Sequence, residues 1–153
     1  FEDKIDLVAY CLMPNHYHWL VRQDGDIPIR YLAQYVFNGY VKAFHARHQT
    51  SGTLFEGTFK AKLVQHDAYL LHLCRYIHAN PVRHGFAFAP DLWPYSNYQE
   101  WIGKRPGVLV DHDFVSAHFP DAERYAASVE DYLQGQHALP VDLGRYLDEL
   151  EQV

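Results

Sequence analysis

Cysteine and methionine are scarce in this sequence of 153 residues, with two Cys and a single Met. Cys11 and Cys74 stand in separate apolar stretches without CxxC spacing, so they read as two buried small hydrophobes and not as a disulfide or a cysteine metal site. Long apolar runs are missing as well. No window approaches the roughly 20 uninterrupted apolar residues that a membrane-crossing helix needs. The opening Phe1-Glu2-Asp3-Lys4 lacks a basic region followed by an apolar one, and a cytoplasmic protein is expected. Internal repeats and low-complexity segments are absent. What is abundant is aromatic: 16% of residues are Phe, Trp or Tyr, beside 48% apolar and 21% charged residues, a composition that excludes disorder, collagen and coiled coil.

Net charge is −6, which at first sight opposes a polyanionic partner, but the charge is unevenly spread. Residues 1–85 carry +2 and residues 86–153 carry −8. Within 35–85, six Lys/Arg face two Asp/Glu, and six His are added. A locally basic middle followed by an acidic tail permits a phosphate-bearing partner at the middle, although a solvated basic face gives the same count.

Apolar Asp6-Leu-Val-Ala-Tyr-Cys-Leu12 and the stretch from His16 to Arg22 read as two strands joined by the turn Met13-Pro14-Asn15. Alternation puts His16, His18 and Leu20 on one face of the second strand, with Tyr17, Trp19 and Val21 on the other. Asp24-Gly25-Asp26 offers a helix cap, and Ile29, Leu32, Val36, Tyr40 and Ala43 recur at helical spacing up to about His48. After a break at Gln49–Gly52, residues 53–55 and 58–64 read as two short strands around Glu56-Gly57, the second presenting Lys60 and Lys62 on one face. Asp67 is the expected cap of a second helix closed by Pro81 and Gly85. Trp93 to Trp101 reads as a short helix covering the sheet, Lys104 to Gly107 as a linker, and Asp121 to Leu133 and Gly144 to Leu150 as acidic amphipathic helices.

Two positions apart on a strand, the imidazoles of His16 and His18 project from the same face about 6–7 Å apart, close enough to converge on one metal ion. Eleven histidines make such a pair easy to meet by chance, so surface or satisfied core histidines remain the alternative. On the second helix Leu70, Leu73, Cys74 and Ile77 mark an apolar direction, and Tyr76 and Asn80 stack at i and i+4 roughly 100° or more away from it. That pair reads either as a nucleophile beside a divalent-metal site, or as a tyrosine at a core rim and an Asn ending its helix before Pro81.

Taken together, Met13-Pro-Asn-His-Tyr-His18, Ser51-Gly-Thr-Leu-Phe-Glu-Gly-Thr-Phe-Lys60, Ala68-Tyr-Leu-Leu71, Arg75-Tyr-Ile-His-Ala-Asn-Pro-Val-Arg83 and Trp93-Pro-Tyr-Ser-Asn-Tyr98 resemble the REP-associated tyrosine transposases, within the single-tyrosine HUH transposases. The resemblance runs from about Val8 to Tyr98, in order. It implies an α+β fold: a ferredoxin-like antiparallel sheet with helices packed on one face over 1–103, followed by an acidic helical extension over 104–153. It also places a further strand and helix ahead of the HUH strand, whereas fifteen residues precede His16 here, so a longer protein, a partner-supplied strand and a smaller sheet all stay open.

By the same resemblance His16 and His18 are the HUH histidines, Tyr76 is the nucleophile and Asn80 is the third ligand of Mg²⁺ or Mn²⁺. The implied substrate is single-stranded DNA with hairpin or palindromic elements, located at the nucleoid, and a homodimer is allowed. Lys60, Lys62, Arg75 and Arg83, with Lys42 and Arg47, are candidates for the phosphate track, and the aromatic surplus could stack on unpaired bases. Two rival readings are a relative that binds hairpin DNA without cutting it, and a zinc hydrolase in which His16 and His18 hold the ion and Tyr76 is structural.

Overall fold

The protein is described from a computed structural model, which covers residues 5–135 and 140–151; the opening residues 1–4, read above for a leader, lie outside them. The chain divides into two compact units, one built on residues 23–62 and the other on residues 7–22 and 63 onward. The architecture is mixed α+β.

Two strands, β1 (Ile5–Leu12) and β2 (Tyr17–Gln23), form a two-stranded antiparallel sheet whose residues 7–12 and 17–22 belong to the second unit. The expected turn closes it, with the Met13 amide donating to the His16 carbonyl at 2.9 Å. Val8, Ala9 and Cys11 are buried in the core, as the apolar run requires. The outer edge of β1 is covered by residues 95–97. Ser96 bridges Cys11, the Leu12 amide donates to the Tyr95 carbonyl at 2.8 Å, and the Asn97 amide donates to the Tyr10 carbonyl at 3.3 Å. This corrects the single helix expected over Trp93–Trp101: a 3₁₀ turn (Pro90–Leu92) and a one-turn α3 (Tyr98–Trp101) flank an extended stretch that pairs with the strand edge. An unpaired edge exposes a row of amides and carbonyls, and satisfying them outweighs the weak helical preference of Tyr-Ser-Asn.

The helix α2 (Asp67–Arg83) carries Leu73, Cys74 and Ile77 into the core, each such side chain contributing roughly 1.5–3 kcal/mol by burial. Two sequence expectations fail at its ends. His66, not Asp67, is the capping residue, and Asp67 is the first helical position, where its charge still suits the positive end of the helix dipole. Pro81 lies inside the helix instead of ending it. It sits in the last turn, and helix termination falls to Gly85, whose φ of +73° is reached without the Cβ penalty. The Gly85 amide donates to the Val82 carbonyl (3.0 Å) and the Phe86 amide to the Pro81 carbonyl (2.8 Å), the paired bonds of a Schellman cap.

The C-terminal segment forms α4 (His112–His118), α5 (Ala122–Leu133) and α6 (Val141–Glu151). Asp111 and Asp121 cap the first two, accepting from the amides of Phe114 and of Glu123 and Arg124. Phe114, Tyr125, Val129, Tyr132, Leu143 and Leu147 join the same core as β1 and α2. The stretch read as a linker is held: Arg105 donates to the carbonyls of Pro94 and Ser96 and to the Glu100 carboxylate at 2.6–2.8 Å.

The first unit contains α1 (Ile29–His48), whose N-cap is Pro28 and not an aspartate of the preceding loop. The expected inner stripe is only partly covered: Ile29 and Leu32 are half-buried while Val36, Tyr40 and Ala43 are exposed, and the buried side chain is Ala33, outside that stripe. Gln49 ends the helix in the left-handed region, at φ 54°. His45 then ties down the following loop, its ring nitrogens within 2.9 Å of Thr50 Oγ1 and 3.0 Å of the Gly52 carbonyl, and Phe55 packs on Phe37 with ring centroids 4.9 Å apart. The two short strands expected over 53–55 and 58–64 are not formed. Alternation makes a strand only where a neighbouring backbone offers partners, and none is aligned with this stretch among the described residues.

Candidate active site

Two elements, β2 and α2 with its cap, bring the chemistry-bearing side chains together. At the start of β2, His16 and His18 stand on one face as the alternation requires, with ring centroids 5.0 Å apart. The ring of His18 lies 5.3 Å from that of Tyr76 on α2, edge to face, and the ring of His16 lies 5.8 Å from that of His84. Tyr76, Asn80 and His84 follow at i, i+4 and i+8, so they form one stripe along α2 and its cap. His18 meets one end of that stripe and His16 the other, which sets Asn80 between the two imidazoles along the helix.

Burial at this stripe is uneven in an informative way. Tyr76 is only 1% exposed, deeper than the core rim that its spacing suggested. Asn80 is fully buried, yet neither its Oδ1 nor its Nδ2 has a hydrogen-bond partner. An unsatisfied buried amide costs roughly 1–3 kcal/mol, and Tyr76 and His84 stand one turn to either side of Asn80 on the same stripe. Among the described residues no three His, Cys, Asp or Glu side chains gather as an ion-binding group. The donor set the fold offers is therefore two imidazoles and one carboxamide, which suits a divalent ion of the Mn²⁺ to Ni²⁺ range at least as well as Mg²⁺.

The candidate basic residues are spread more widely. The guanidinium carbon of Arg83 lies 5.1 Å from the centroid of the Tyr76 ring, a cation–π contact that puts positive charge beside the phenol. Arg75 is half-buried and its Nε donates to Ser128 Oγ of α5 at 3.2 Å, so it faces the C-terminal helices. Lys60 and Lys62 are exposed in the first unit, on coil and not on a strand face. Sequence reasoning missed His84. The repeat Tyr76–Asn80–His84 at four-residue spacing could have revealed it, had Pro81 not been taken as the helix end.

Behind the stripe, on the opposite side of α2, His78 is fully buried. Its Nε2 lies 2.9 Å from Asn97 Oδ1 and its Nδ1 2.5 Å from the Tyr125 hydroxyl. Asn97 Nδ2 donates to the Val8 carbonyl at 3.0 Å, so the oxygen of this amide is the atom that faces the imidazole. Nε2–H is thus the donor and Nδ1 the acceptor of the Tyr125 hydroxyl proton. Burial lowers the His78 pKa from 6.5 to about 4, with the Asn97 bond opposing it, and keeps the ring neutral. Burial likewise pushes the Cys11 thiol up to about 12 and the Cys74 thiol higher still, so both remain protonated and unreactive, as their apolar settings suggested.

Comparison with known proteins adds a likeness. Over 104 residues the chain is 29% identical to a protein of Haemophilus influenzae that carries the name REP-associated tyrosine transposase. The matched stretch covers 61% of this chain and 58% of that one, so the chain spans somewhat more than half the length of the curated relative it matches. No protein-family model matches the chain, and no solved structure matches it.

Proposed function

We propose that the second unit is the catalytic part of a transposase-type DNA strand transferase, with Tyr76 as nucleophile and His16, His18 and Asn80 as the metal-binding set. The observation that carries this reading is the convergence of two strand histidines on a helix stripe holding a phenol and a buried, unsatisfied carboxamide. The named relative supports it by analogy of class, and hairpin-bearing single-stranded DNA is the substrate proposed with it.

A phosphodiester is a poor electrophile. A bound Mg²⁺ or Mn²⁺ would polarise the scissile phosphate and offset charge developing in the transition state. Tyr76 Oη attacks phosphorus as the phenol proton leaves, the bond from phosphorus to the 3′ oxygen breaks, and that oxygen takes up a proton. The products are a 5′-phosphotyrosine and a free 3′ hydroxyl. Because the ester bond is conserved in the adduct, the reverse attack rejoins strands. An ordinary phenol has a pKa of ~10, and the guanidinium of Arg83 over the Tyr76 ring stabilises the negative charge that the oxygen acquires.

Calorimetric titration with Mn²⁺, together with cleavage of a labelled hairpin oligonucleotide, tests the metal-binding set. His16→Ala, His18→Ala and Asn80→Ala are each expected to weaken Mn²⁺ binding at least ten-fold and to abolish metal-dependent cleavage. Parent-like Mn²⁺ affinity in all three variants would remove the assignment. Hairpin binding by the parent without any cleavage would favour the non-cutting relative instead.

A further inference from the structure

We infer that Asn97 and His78 are positioning residues, which tie β1 to α2 at one point and thereby set the spacing between His18 of β2 and the ring of Tyr76. Asn97 is fully buried, on the extended stretch that covers the outer edge of β1. Its Oδ1 accepts from the Tyr10 amide at 2.8 Å and from His78 Nε2–H at 2.9 Å, which uses both lone pairs of the carboxamide oxygen. Its Nδ2 donates to the Val8 carbonyl at 3.0 Å. One side chain thus holds two backbone groups of the strand and one side chain of the helix. Val8 and Tyr10 belong to β1, whose antiparallel partner β2 carries His18, and His78 lies two residues after Tyr76 on α2.

Direction is what this bracket adds to the packing. Val8, Ala9 and Cys11 of β1 share one buried apolar cluster with Leu73, Cys74 and Ile77 of α2. Apolar contact is non-directional, whereas a hydrogen bond weakens steeply as its angle closes, so the bracket selects one rotation of α2 among those that the packing tolerates. A rotation that opened the bond from His78 to Asn97 would carry Tyr76 with it, away from the His18 ring that now stands 5.3 Å from its own. Strand pairing does not need the bracket, because the Leu12 amide to the Tyr95 carbonyl and the Asn97 amide to the Tyr10 carbonyl are main-chain bonds. The other nitrogen of His78 meets the Tyr125 hydroxyl of α5, which ties the helix to α5 and not to the sheet. What this placement does for catalysis rests on the strand-transfer reading above, where a misplacement of about 1 Å can cost on the order of 10²-fold in rate; the placement itself does not.

Nuclear Overhauser contacts between the ring protons of His18 and Tyr76, recorded on the full chain without metal or DNA, test the placement. His78→Leu, which fills the volume and breaks the bracket, is expected to lose them. His78→Gln, whose amide donates at the same reach, is expected to keep them. Tyr125→Phe removes a buried hydrogen bond without touching the bracket, and should lower Tm while the contacts stay. Asn97→Ser, too short to span strand and helix, is the second breaking variant should His78→Leu fail to fold, and is expected to lose the contacts as well. In single-turnover cleavage of a labelled hairpin oligonucleotide with Mn²⁺, the breaking variants should be slower by roughly ten-fold or more, with hairpin affinity near that of the parent. Intact contacts in a folded breaking variant, equal loss of them in Tyr125→Phe, or parent-like cleavage after they are lost would each overturn the inference. A parent that cleaves nothing yet shows this pattern of contacts would uphold the positioning and defeat the strand-transfer reading instead.

Discussion

At the scale of single residues the structure turns on two buried polar side chains of α2 that face opposite ways. Asn80 is buried without a hydrogen bond, and His78 is buried with both ring nitrogens engaged. The second fixes the helix against Asn97 and Tyr125. His78 also gives a pH dependence with a definite sign. Its folded pKa lies near 4, below the unfolded 6.5, so between these values the unfolded chain binds more protons than the folded one. Stability from this group is complete above about pH 6.5 and is lost as pH falls towards 4, amounting to at most roughly 3 kcal/mol. Urea unfolding across that window should show the loss in the parent and a much flatter profile in His78→Gln. Equal slopes in the two proteins would contradict the buried neutral imidazole.

At the scale of elements, the cap of α2 positions the lower end of the stripe. Gly85 holds a positive φ with open space around its Cα, so Gly85→Ala meets no steric clash and suffers only the backbone penalty. A loss of about 1 kcal/mol is expected, read as a lowered Tm, and a variant as stable as the parent would mean that the cap tolerates another closure. The hairpin, α1, α2 and α5 were all legible in the sequence, because apolar periodicity, the Met13-Pro14-Asn15 turn and the Asp121 cap are local signals. The failures have non-local causes. Residues 53–64 alternate like strands but have no partner edge, residues 95–97 are extended because β1 needs them, and Pro81 is tolerated because Gly85 terminates the helix four residues later. Spacing alone put His16 with His18 on one strand face and Tyr76 with Asn80 on one helix face, each open to a bland reading, and the resemblance singled them out. His84 and the contact of Arg83 with Tyr76 were missed, since both depend on the helix continuing through Pro81.

For the whole molecule, His16, His18, Tyr76 and Asn80 all fall in one of the two units and α1 in the other. The acidic C-terminal helices share a core with α2, and Tyr125 and Ser128 reach directly to His78 and Arg75. They therefore back the helix that carries Tyr76. No helix among the described residues is long and apolar enough to cross a membrane. The central claim, that Tyr76 is a nucleophile towards a phosphodiester, is open to a direct measurement. Incubating the protein with labelled hairpin single-stranded DNA and Mn²⁺, denaturing it, and mapping the modified peptide by mass spectrometry should locate a nucleotide phosphate on Tyr76, and the adduct should vanish in Tyr76→Phe while hairpin binding persists. A covalent adduct on another residue, or one that survives Tyr76→Phe, would contradict the assignment.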